Sequence, residues 1–220
     1  EYSLTEYNRE FEAIIRRNNR ILTTSPSEIP VAVKNALVAV EDSNFYTHNG
    51  VDFKGIFRAA QSTGSGENVQ GASTITMQLA KNLILYESVF REQVFNRRSL
   101  NRKLQEYILT KKLEDILTKD EIIAWYLNTI DFGRGAQGIK MAALAYFGKD
   151  LSELTVADSA FLAGLPKAPY GLDPSKNMER ALERRNRVLR DMLRARYITR
   201  DEFLILNELV HISSLLNYVY

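Results

Sequence analysis

PVAVKNALVAVEDSNFYTHNG, residues 30–50, decides how the chain is to be read. Val33, Ala36, Leu37 and Val40 recur at helical spacing, which predicts an amphipathic helix with one buried face. Ser27 is the expected N-cap, and Pro30 suits a first turn because its fixed φ is already helical. The apolar stripe runs directly into two adjacent carboxylates, Glu41 and Asp42. Phe45, His48 and Gly50 then read as a turn leaving the helix. A carboxylate beside a core face, at the negative end of a helix, stands in a poorly solvating and unfavourable field. Glu41 is therefore a candidate general base. A solvated helix end followed by core aromatics would be written with the same residues, so this segment alone leaves both readings open.

Working outward, the 220 residues are 45% hydrophobic and 25% charged, which suits one sizeable globular domain or two lobes sharing a core. The net charge of +2 gives no global field for nucleic acid, so any positive site must be local. The absence of cysteine excludes disulfides, thiolate metal sites and a cysteine nucleophile. No run of 18 apolar residues occurs, so this stretch of chain is not expected to span a bilayer. The opening EYSLTEYNRE is polar and partly acidic, unlike a signal peptide.

Nearly every other segment reads as helix. Leu4, Tyr7, Phe11, Ile14 and Ile15 suggest a lead-in helix within residues 1–25. Phe53, Ile56, Phe57 and Ala60 fall on one side of a short helix, and 61–71 reads as a flexible loop. Residues 73–85 form a helix with Ser73 near its start; 86–98 has irregular periodicity; 99–117 is helical again. Thr118 and Glu121 form a capping box for the next helix, which ends near Asn128. DFGRGAQG (131–138) must be a turn-rich loop. A short apolar helix then stops at Gly148, and Thr155 caps another that Pro166 ends. Asn177 starts a long basic helix through Arg196, and Thr199 with Glu202 gives a last capping box. No strand shows convincing alternation, so the expectation is an almost all-α domain.

Arg98, Arg102 and Glu106 lie four apart on one helix face, with Lys103 three before Glu106. Alone this is an ordinary surface ladder, and Lys81 in QLAKNLIL snorkels to solvent or points into a cleft. Combined with a glutamate base, several fixed cations suggest a phosphorylated substrate, since Arg and Lys stabilise phosphate oxygens. A departing diphosphate needs charge neutralisation rather than a protonating acid. The set therefore fits glycosyl transfer from a sugar diphosphate, with Glu106 binding a divalent metal or orienting the cations.

At this point the residues resemble a known family, the peptidoglycan glycosyltransferases of glycosyltransferase family 51. Glu41–Gly50 looks like its ED-x-x-F-x-x-H-x-G signature, and Gly71–Asn82 its G-x-S-T-I-T-Q-Q-x-x-K-N motif. Arg98–Glu106 matches R-x-x-x-R-K-x-x-E, and Glu121–Asn128 with Phe132–Gly138 resembles the fourth region, continued by Ala142–Lys149 and Leu162–Pro169. Five ordered motifs spanning about residues 30–199 make the resemblance specific.

The resemblance implies a mostly α, lysozyme-like bilobal helical domain over residues 1–220, with a head lobe and a smaller membrane-facing jaw lobe at about 50–72. It implies polymerisation of lipid II into β-1,4 glycan strands by inverting transfer from a lipid-diphosphate-linked donor. Carried over residue by residue, Glu41 and Glu106 would be the catalytic pair, Glu41 the base. Asp42, Ser73, Thr74, Gln78, Lys81, Arg98, Arg102 and Lys103 would bind substrate. Glu106 would hold the divalent metal (Mg2+ or Mn2+), and no organic cofactor is expected. Implied partners are lipid II and the growing lipid-linked glycan strand, a membrane surface met by Phe53, Ile56 and Phe57, and a transpeptidase domain or other wall-synthesis proteins, but no nucleic acid. The implied place is the outer face of the bacterial cytoplasmic membrane. Three positions depart from the pattern: Met77 for a usual glutamine, Asp131 for an aromatic and Asp158 for a glutamate. The alternatives are a lysozyme-like glycan-cleaving enzyme, whose glutamate acts as an acid without a diphosphate site, and a non-catalytic precursor-binding module.

Overall fold

The computed structural model describes residues 23–55, 57, 73–86 and 100–208; within these, the side chains of 84–86, 100–102 and 105 fall outside the description. Most of the expected lead-in helix and jaw, the segment carrying Arg98, and the side chain of Arg102 therefore lie outside the described residues. Among the described residues there are eight longer α-helices, a further helical turn at 53–55, and no strand, only an isolated bridge between Asp131 and Gln137. The helices are α1 (Val31–Glu41), α2 (Ile75–Tyr86), α3 (Leu100–Ile116), α4 (Lys119–Thr129), α5 (Ile139–Phe147), α6 (Val156–Gly164), α7 (Met178–Arg194) and α8 (Arg200–Glu208). The domain is mostly α, as its patterning requires. No helix among the described residues is long and apolar enough to cross a membrane.

Helix α1 corrects two expectations. It is not buried on one face: Ala36 to Val40 are five consecutive buried residues, so its second half is enclosed all round. It packs against both α6 and α7, which also pack on each other. Nor is Ser27 its cap. Pro30 is the N-cap residue, and the amides of Val33 and Lys34 donate to its carbonyl. Pro30 lies in extended backbone, outside the first turn, because Ser25 and Glu28 close a separate turn just before it. Each fully buried Val or Leu on α1 stabilises by about 1.5–3 kcal/mol, so packing, not polar contacts, fixes where its C-terminal carboxylates emerge.

A second group forms where α2 packs on α3 and α4. Its ends are set locally. Thr118 accepts from the Glu121 amide while the Glu121 carboxylate accepts from the Thr118 amide, closing the expected capping box of α4. Thr155 and Asp158 do the same for α6. Asp158, a departure from the family pattern, is thus a working cap, and it also pairs with Lys149 at 2.6 Å. Pro166 sits within a 3-10 turn, Leu165–Lys167, that follows the end of α6 at Gly164. Helix α7 begins at the Asn177 cap as expected but ends at Arg194, two residues early, with Arg196 at positive φ.

The loop after α4 turns through Gly133, Gly135 and Gly138, all at positive φ. Asp131 accepts from the Gly133 amide and from the Tyr170 hydroxyl, so this second departure supports the loop. Arg134 reaches across to Asp173 at 2.6 Å and lies over the Tyr146 ring. Burial drives the Tyr146 phenol up to about 12, consistent with a neutral donor to the Phe132 carbonyl.

Candidate active site

The end of α1 delivers Glu41 to the junction between the two helix groups. Its side chain is 18% exposed, enough to meet a ligand and little enough to be held. From α2, Gln78 donates its amide to one carboxylate oxygen at 3.2 Å. From α7, the Arg184 guanidinium meets the other at 3.3 Å. Behind Gln78, the buried Tyr126 hydroxyl of α4 donates to the amide oxygen at 3.0 Å. Burial first, and then the charge of Glu41, push the Tyr126 phenol far above its ordinary value, so it acts only as a neutral donor. Four helices thus fix one carboxylate. Each of its oxygens carries two lone-pair sites and accepts one protein bond, which leaves a site on each for a ligand proton.

Asp42 points the other way. It is buried and accepts from His48 at 2.9 Å and from the Ile75 amide at 3.1 Å, tying the turn after α1 to the N-terminus of α2. A carboxylate there meets the positive end of the α2 dipole. Thr74 is buried as well; its hydroxyl donates to the Gly50 carbonyl and accepts from the Met77 amide. Below them, Lys119 donates to the His48 carbonyl and to Glu114 and lies over the Phe45 ring. The aromatic and histidine of the first motif therefore belong to a packed support, with Phe45 wholly buried.

The remaining expected residues distribute as follows. Ser73 and Lys81 are exposed, at the start of α2 and three residues beyond Gln78. Glu106 is buried on α3, with Lys103 at 3.4 Å from its carboxylate and itself largely exposed. Arg98 and the Arg102 side chain lie outside the described residues. Phe53 and Phe57 are 69% and 65% exposed, and with Asn44 and Lys54 they line an apolar recess on the surface.

Sequence reasoning missed Arg184. It lies 143 residues from Glu41, in a helix whose sequence reads only as long and basic. The signal was present: with Ala181, Val188, Leu189 and Met192 forming the buried stripe of α7, Arg184 falls at its border. Arg184 also donates to the Gly164 carbonyl at 3.1 Å, which anchors it to the end of α6. Burial pulls its guanidinium below the ordinary value, opposed by Glu41 and aided by Arg187.

Among the described residues no three His, Asp or Glu side chains converge as a protein-only metal site requires. Glu106 fits the looser kind of site, in which one buried carboxylate and a ligand's own phosphates share a hard cation.

Comparison with known proteins identifies the family. The family model described as Transglycosylase matches residues 7–193. The chain is 46% identical over 185 residues to penicillin-binding protein 1A of Escherichia coli, covering 84% of this chain and 21% of that one. It is 45% identical over 179 residues to penicillin-binding protein 1A of Rickettsia bellii, covering 80% and 22%. A Cupriavidus necator protein bearing the transglycosylase name is 44% identical over 176 residues, 80% of this chain and 72% of its own. The chain thus spans about a fifth of the length of the penicillin-binding protein 1A relatives it matches. A Haemophilus influenzae penicillin-binding protein 1A structure aligns over 60% of this chain and 16% of its own at 30% identity, but its TM-score of 0.37 is too low to speak for the fold. By the model that covers its length and by relatives of this identity, the chain belongs to the transglycosylase family, the peptidoglycan glycosyltransferases of family 51.

Proposed function

We propose that the chain polymerises lipid II into β-1,4 glycan strands, with Glu41 as the general base. The observation that carries the reading is the fixing of Glu41 between Gln78 and Arg184 with one acceptor site left on each oxygen. The 4-hydroxyl of the acceptor sugar hydrogen-bonds to this carboxylate. Its oxygen attacks the anomeric carbon of the donor on the face opposite the lipid diphosphate. The new C–O bond forms as the bond to the diphosphate breaks, the hydroxyl proton passes to Glu41, and the configuration inverts.

Lys81 and Lys103, with Arg98 and Arg102, hold donor and acceptor phosphates, and Ser73 lies on the same approach. Glu106 would hold a divalent cation, which when bound supplies charge neutralisation to the leaving diphosphate. Asp42 and Thr74 support this set by fixing α2 rather than by touching substrate. Phe53 and Phe57 rest on the membrane that keeps the lipid tail, at the outer face of the cytoplasmic membrane, since large exposed apolar side chains beside one another suit such a surface.

The deciding experiment incubates the protein with labelled lipid II and Mg2+ or Mn2+. Long glycan product is the expected result. Cleavage of preformed glycan without polymer would make the chain a hydrolase, and binding without turnover would make it a precursor-binding module.

A further inference from the structure

Beside Glu41, on the α7 side, lies a groove of about 540 Å³ that the reaction above does not use. Lys167 at the end of the 3-10 turn faces Arg180, Glu183, Arg184, Arg187 and Arg190 along the outer face of α7. Five cations share it with one carboxylate. Lys167, Arg180, Arg187 and Arg190 make no ion pair with any described residue, and Glu183 neutralises none of them. Arg184 forms the junction: the same guanidinium lines the groove and meets Glu41. A cleft lined by one sign of charge concentrates ligands of the opposite sign.

The groove differs from the expected diphosphate site in place and in pattern. Glu41 is approached by α2 on one oxygen and α7 on the other, and Lys81 belongs to the α2 side. From Arg180 to Arg190 the charges run about 15 Å along the helix axis, far longer than one diphosphate. Glu183 adds to the groove an acceptor that suits a ligand carrying an ammonium, which a plain diphosphate lacks. Planar guanidinium groups match carboxylates as well as phosphates.

We propose that this groove binds the peptide stem borne by the glycan substrate, its arginines taking the peptide carboxylates and Glu183 an ammonium. This rests on the transferase reading and adds a peptide subsite to it. The sugar at Glu41 then emerges with its peptide laid along α7, so each added unit is held by charges remote from the reacting bond.

The test compares wild type with an Arg187→Gln, Arg190→Gln double variant, since neither residue touches Glu41. Polymerisation is measured on lipid II and on its peptide-free analogue. Wild type should favour the peptide-bearing substrate by about tenfold in kcat/KM, and the double variant should lose that preference while keeping its rate on the analogue. The Arg187→Lys, Arg190→Lys variant should restore part of it. Independently, calorimetric binding of soluble, phosphate-free disaccharide-pentapeptide should weaken at least about fivefold in the glutamine variant, and inorganic pyrophosphate binding should not change. Equal loss of rate on both substrates, loss of pyrophosphate binding, or no preference in wild type would overturn the peptide subsite. Arginine-dependent disaccharide-pentapeptide binding without any polymerisation would instead sink the transferase reading and leave the groove standing.

Discussion

Glu41 is one residue from Asp42, yet the two carboxylates have opposite surroundings. Asp42 is buried against a histidine and a backbone amide, and Glu41 keeps positions open to a ligand. Glu41 is the last residue of α1 and Asp42 has already left helical geometry, so the sequence pair ED alone hides this division of labour. The Tyr126 hydroxyl is the most distant member of the chain that holds Glu41, acting through Gln78. Tyr126→Phe should leave a buried amide oxygen unpaired, lowering stability by about 1–3 kcal/mol. It should also reduce kcat more than KM, because the aim of the base is disturbed and not the hold on substrate; steady-state kinetics with a thermal melt would check this. A variant that melts lower with kcat intact would confine Tyr126 to packing.

At the scale of elements, the chain announces its helix starts well. The Thr118–Glu121 and Thr199–Glu202 boxes and the Asn177 cap appear where the residues place them, because caps are local chemistry. The start of α1 was misplaced for the same reason in reverse: Ser27 has cap chemistry but sits in an earlier turn that only the Ser25–Glu28 contact reveals. Gly50 shows how an element is fixed from outside. Its φ is +82°, and an added Cβ would lie 2.8 Å from the Thr110 side chain of α3. Gly50→Ala should therefore destabilise by about 1–3 kcal/mol and loosen the contact of the first motif with α2 through Thr74. Urea denaturation should register the change, and an unaltered midpoint would mean that the turn adapts freely.

Over the whole molecule, the Glu41 carboxylate stands where the end of α1 meets α7 through Arg184 and α2 through Gln78. The mostly helical fold was legible from periodicity, and the motifs singled out Glu41, which the structure holds between Gln78 and Arg184. The contact with Arg184 was not, because nothing local relates two residues so far apart on separate helices. Acid stability is likewise a long-range property. Burial alone would raise the Asp173 carboxyl, but hydrogen bonds from Arg134 and Ser175 outweigh it and hold it below the ordinary carboxylate value. A depressed folded value stabilises above the unfolded one and is lost as pH falls through the folded one. Asp173→Asn should thus be less stable than wild type near neutral pH, with the gap closing below about pH 4, as denaturant titrations across pH would show. A gap independent of pH would remove the charge from the explanation.

Glu41→Gln keeps the size of the side chain and removes its charge, its ion pair with Arg184 and its capacity to take a proton. Polymerisation of labelled lipid II by this variant should fall by about 10²–10⁴-fold, while it stays folded and keeps its binding of lipid II. A variant that folds, binds and still polymerises at a rate near wild type would contradict Glu41 as the base.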